Sequence, residues 1–159
     1  MDEIAIARAL HVFAVVMWIG GVSFVTTELL PAVRRLKSPD ERVAFFDAIE
    51  RRFASQARIT TLLAGFTGLF MLIRLDLWGR FLSVSHWWMH AMVIVWLIFT
   101  AMLFVAEPMV LHRWFHERAR ADPEGTFALI ERLHRILLTL SLVTVLGAVA
   151  GSHGLSLFE

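Results

Sequence analysis

His86-Trp87-Trp88-Met89-His90-Ala91-Met92-Val93-Ile94-Val95-Trp96-Leu97-Ile98-Phe99-Thr100-Ala101-Met102-Leu103-Phe104-Val105-Ala106 is an unbroken apolar run with two imidazoles in its opening turns. A helix needs about 20 such residues to cross the hydrocarbon core of a bilayer. Ionisable groups at that depth are costly and usually functional. His11, in the first apolar run, is their best counterpart elsewhere in the chain. Around this stretch the chain is 58% hydrophobic and 18% charged, with a mean hydropathy of +0.68. That exceeds the apolar share of soluble domains and predicts an integral membrane protein.

The chain has room for one domain, residues 1–159, and a net charge of +1 that suggests no nucleic-acid partner. Cysteine is absent, which excludes disulfides, thiolate metal sites and iron–sulfur clusters. His, Met and carboxylates remain as ligands. The acidic start, Met1-Asp2-Glu3, is unlike a basic leader and predicts a retained first helix.

That helix is expected over about Ile4 to Val33, with Gly20 and Gly21 as close-packing positions. Ser38-Pro39-Asp40-Glu41 has the form of a capping box with proline at the first helical position, so a second helix begins near Pro39. Its stripe of Val43, Phe46, Ile49 and Phe53 either lies on the membrane surface or extends the second span, about Phe53 to Ile73. Thr60, Thr61, Ala64, Gly65, Thr67 and Gly68 give that span a small-residue face. Trp78, Trp87 and Trp88 suit an interfacial aromatic belt. The third helix overruns Glu107-Pro108, with a kink expected there, towards Arg120. Asp122-Pro123-Glu124 caps a fourth, which ends near Gly151 to Gly154. The expected fold is all-α: a four-helix up-down bundle, extended on the cytoplasmic side.

Twelve Lys and Arg fall in the two long links (Arg34 to Arg58 and Arg113 to Arg135) and three (Arg8, Arg74, Arg80) on the opposite side. The positive-inside rule then puts both termini outside, periplasmic in a bacterial-type inner membrane. His11, His86, His90 and His153 fall in the outer half, and His112, His116 and His134 in the inner half. At 1.5 Å per residue, His11 and His90 lie at similar depths, about 7 to 10 Å below the outer surface. Two imidazoles at one level on separate helices suit the axial positions of a haem b. Arg8, one turn outward, is placed to meet a propionate, and Trp18 shares the face of His11. His86, one turn from His90, could be a ligand, a propionate partner or merely interfacial; the competing readings are a polar residue bonded across helices for His11 and an interfacial histidine for His90.

A different site would be copper on His86, Met89, His90 and Met17. A third would be zinc or copper on the i,i+4 pair His112 and His116 with Glu131 and His134. His134 alone also suits a second, inner haem.

Ala9-Leu10-His11 with Trp18 and Gly20-Gly21, Glu50-Arg51-Arg52-Phe53, Thr67-Gly68-Leu69 and Trp88-Met89-His90-Ala91-Met92 resemble the four-helix membrane proteins of the CopD group and the HemJ-type protoporphyrinogen oxidases. The likeness covers roughly residues 8 to 150. It implies haem b binding with oxidation of protoporphyrinogen, or copper handling on the CopD side, and it matches His11 and His90 to the HemJ histidines. Met92 stands where HemJ-like chains carry lysine, and Glu28-Leu29-Leu30-Pro31-Ala32-Val33 replaces their Leu-Pro-Arg-Leu-Phe segment. The leading expectation is a membrane cytochrome b that takes electrons from a donor such as quinol. A copper carrier comes second and a scaffold with incidental histidines third. The small-residue faces also leave room for a homodimer.

Overall fold

The computed structural model describes residues 2–155, apart from the side chains at 110–112 and 116, and no strand occurs among them. Helix α1 (Asp2–Phe24) runs through a π-helical stretch, Val25–Leu29, into α2 (Leu30–Leu36). α3 (Pro39–Arg74) is followed by 3-10 turns at Trp78–Leu82 and Val84–His86. α4 (Trp87–Ala101) passes through a second π-helical stretch, Met102–Leu111, into α5 (His112–Ala121), and α6 (Pro123–Ser152) completes the fold. Four helices are long and apolar enough to cross a membrane: Asp2–Leu36, Pro39–Arg74, Val84–Met109 and Pro123–Ser152.

The punctuation falls where the sequence puts it. Ser38 is the N-cap of α3, and the Glu41 carboxylate accepts from both its N–H (3.2 Å) and its hydroxyl (2.7 Å). Asp122 caps α6 by accepting from the Gly125 N–H at 2.9 Å, with Pro123 at the first turn. α3 is one helix of 36 residues, so the Val43 to Phe53 stripe is an extension of the second long helix and not a separate surface element. At 1.5 Å per residue it measures about 54 Å, well beyond a hydrocarbon core of about 30 Å.

Glycine against aromatic is the rule of packing. The Phe53 ring lies in the notch of Gly21, Trp96 against Gly65, Trp87 against Gly147 and Trp88 against Gly151. A Cβ at Gly151 would stand 2.2 Å from Trp88 Nε1. Trp87 and Trp88 pack as knobs between α4 and α6, Trp88 being 8% exposed, whereas Trp78 is exposed. The middle of the molecule is filled by Trp18, Ile19, Val22, Ala64, Val95, Phe99 and Leu138. Val25, Leu30, Val33, Val43, Phe46, Phe127 and Ile130 fill the end rich in arginine. Outward faces are apolar as well, with Val16, Ile59, Phe66 and Leu146 all largely exposed.

Two arginine clusters close the polar accounts. Arg34 grips Glu131 with Nε and Nη2, both at 2.9 Å, and Glu124 with Nη1 at 2.6 Å; Arg42 shares Glu124 and donates to the Arg34 carbonyl at 3.0 Å. Both guanidiniums lie over the fully buried Phe127 ring, 5.6 and 5.9 Å from its centroid. The second cluster answers Pro108, which sits inside the π-helical stretch. In i→i+5 winding, the N–H that proline lacks would have gone to the carbonyl of Leu103. Arg58 supplies the substitute: its Nε donates to that carbonyl at 3.1 Å, and its Nη2 pairs with Glu107.

Gly151→Ala is expected to lower stability in detergent by about 1–3 kcal/mol through overpacking of Trp88. Gly20, with open space where a Cβ would go, should accept alanine with no loss. A double-mutant cycle should couple Arg58→Met to Pro108→Ala, the arginine mattering less once alanine restores the backbone donor. Additive effects in thermal unfolding would refute the repair.

Candidate functional site

What holds each imidazole ring separates the histidines. His11, half-buried on α1, points Nδ1 at α3, 2.9 Å from the Ala64 carbonyl oxygen and 3.1 Å from Thr67 Oγ1. A carbonyl only accepts, so Nδ1 carries the hydrogen. The Thr67 hydroxyl donates to the Leu63 carbonyl at 2.6 Å, which turns its lone pairs to the ring. In the neutral imidazole Nε2 then holds a bare lone pair. Gly68 makes the seat: a Cβ there would lie 3.2 Å from His11 Cε1. The cross-helix reading of His11 is thus observed, and it is compatible with a ligand role because only Nδ1 is used.

His90 stands differently. It is exposed at the start of α4, with Nε2 3.0 Å from the Phe81 carbonyl and its ring edge-on to Phe81 at 5.2 Å. Here Nε2 is the donor and Nδ1 keeps the lone pair. His86 precedes α4, half-buried, its Nδ1 3.3 Å from Ser85 Oγ. Arg8 is exposed and has no ion pair or hydrogen bond among the described residues. Trp18 is 4% exposed and meets the Phe99 ring edge-on at 4.9 Å. Its Nε1 has no hydrogen-bond partner among the described residues.

The structure therefore brings His11 to Thr67 and Gly68, and His90 to Phe81. No hydrogen bond or ring contact joins His11 to His90 among the described residues. Thr67 and Gly68 belong to the small-residue face that reads in the sequence as packing. Their registration with His11 has no local signal, because it depends on how α1 and α3 align.

At the other end, Glu131 is occupied by Arg34, and His134 turns Nδ1 to its own helix, 2.9 Å from the Ile130 carbonyl, with its ring edge-on to Phe46 at 5.5 Å. Among the described residues, then, Glu131 and His134 are each bonded elsewhere and not to one another. The side chains of His112 and His116 lie outside the described residues. Among the described residues no three His, Cys, Asp or Glu side chains group for a metal ion. Of the methionines proposed for copper, Met17 is exposed and Met89 buried.

No family model, curated protein or solved structure matches this chain.

Whether these residues fit a haem turns on the two tautomers. Metal-bound imidazoles characteristically donate their distal N–H to a carbonyl or similar acceptor, which fixes the ring and raises ligand basicity. His11 has that arrangement. His90 offers iron only Nδ1 while it keeps Phe81, and would bring Nε2 to a metal by releasing that carbonyl. The fit is good on the side of His11 and conditional on the side of His90.

The expected NMR signature is a neutral His11 with its proton on Nδ1, read from imidazole nitrogen shifts. That tautomer should survive Thr67→Val, because the Ala64 carbonyl remains. A proton on Nε2 would contradict the assignment.

Proposed function

We propose that this chain is a multi-pass membrane redox protein in which His11, together with His90, would hold a haem b. The observation that carries the proposal is the bond from His11 Nδ1 to the Ala64 carbonyl across two helices, which leaves Nε2 presented as a lone pair. Four helices run up and down through a bacterial-type inner membrane, both ends periplasmic. Pairings of Glu3 with Arg74, His11 with Gly68 and Gly21 with Phe53 support that course for the first two helices, and the twelve-to-three split of basic residues supports the orientation.

A bound haem b would supply single-electron exchange, at a potential set by ligands and burial. The protein's share is positional. Ala64 and Thr67 hold the His11 ring, Gly68 gives it room, and Arg8, free of other partners among the described residues, would be the residue to pair with a propionate. Quinol or another small membrane donor would be the electron source for such a group. The resemblance to CopD and HemJ-type proteins is part of this reading, with porphyrinogen oxidation as its nearest enzymatic variant.

Purified protein should show a Soret band with low-spin b-type maxima. His11→Ala should abolish the colour. His90→Ala should retain haem and convert it to a high-spin spectrum. Thr67→Val should loosen haem retention about tenfold. Colourless protein that retains copper would move the assignment to metal handling, and colourless, metal-free protein would sink both.

A further inference from the structure

A cavity with no histidine in its lining lies at the arginine-rich end. It has a volume of about 480 Å³ and lies between the π-helical stretch of the first long helix and α3. Phe24, Val25, Leu29, Ala48, Ile49 and Phe53 form apolar walls, and Arg52 and Gln56 stand at i and i+4 on one face of α3. The π-helical winding at Val25–Leu29 borders it, and Phe53, held in the notch of Gly21, forms part of its wall.

Charge decides what such a cavity would take. Neighbouring arginines are neutralised: Arg34 and Arg42 by Glu124 and Glu131, Arg51 by Asp47 at 3.0 Å, Arg58 by Glu107. Arg52 is exposed and has no carboxylate or hydrogen-bond partner among the described residues. An unpaired guanidinium over an apolar slot, beside an amide that can donate, matches an anionic amphiphile. Basic pockets between helices on the positively charged side of membrane proteins take lipid head groups.

We propose that this cavity is a binding site for one anionic phospholipid. Arg52 and Gln56 hold the phosphate, and an acyl chain lies along Phe24, Leu29, Ile49 and Phe53. Guanidinium pairs with phosphate through parallel N–H donors, a geometry that ammonium does not match. The site rests on the membrane reading of the four helices and is independent of haem.

The test is lipid retention by native mass spectrometry of detergent-solubilised protein, offered phosphatidylglycerol or phosphatidylcholine. Phosphatidylglycerol should be retained preferentially. Arg52→Gln should reduce its retention about fivefold, the weight of one basic residue at a lipid surface. Ala48→Phe, which fills the slot without touching charge, should reduce it as well. Arg35→Gln removes an exposed cation outside the cavity and should leave retention unchanged. Equal retention of the two lipids, or equal effects of Arg52→Gln and Arg35→Gln, would overturn the site. The Soret band of the same samples reports separately on haem, so failure of either reading is seen on its own.

Discussion

Charged groups in an apolar bundle must find their partners inside it, and Arg34 meets this demand for three helices at once. Its fork closes on Glu131 of α6, its remaining nitrogen reaches Glu124, and its own carbonyl is taken by Arg42 of α3. Ion pairs this exposed add little net stability, but the bidentate fork restricts which helix faces can meet. The cluster therefore fixes register between helices more than it adds energy. The Phe127 ring beneath the two guanidiniums turns the same cations into apolar cover. With that end of the first, second and fourth long helices tied, the fit of glycine to aromatic ring can set the rest.

The third long helix joins by a different device. Proline in a lipid-compatible helix leaves a carbonyl without its donor, and such backbone groups must be re-satisfied from within the protein. π-helical winding moves the deficit to Leu103, where Arg58 reaches it, and Glu107 balances the charge. The irregular turn and the interhelical ion pair are one feature, and they anchor α3 to the third long helix at mid-length. Trp96, whose Nε1 donates to the Thr61 carbonyl at 2.9 Å while its ring covers Gly65, adds a second fixed point.

Against this frame the histidines differ in kind. His11 is held by a neighbouring helix and cannot turn without breaking two contacts. His134 and His153 donate to carbonyls four residues back on their own helix, a local bond that carries no tertiary information. His90 is bonded to a 3-10 turn at the molecular surface. A fixed ring with a free lone pair is the arrangement that the proposed ligand role of His11 would need.

The residues alone determined the all-helical class, the number of long apolar helices and most of their ends. Ser38-Pro39 and Asp122-Pro123 are local signals, and twenty consecutive apolar residues have few other uses. The Lys and Arg asymmetry was equally legible, because charge in links needs no partner to be counted. Tertiary structure decided which polar groups meet. Glu131, three residues from His134, looked like half of a metal site until Arg34, 97 positions away, took its carboxylate. Thr67 and Gly68 looked like packing until the alignment of α1 with α3 set His11 against them. Trp87 and Trp88 gave no sign of which partners they would meet until Gly147 and Gly151 received their rings. In each case the local chemistry was plain in the chain, while the partner depended on helix register, which a repeat of apolar residues leaves undefined.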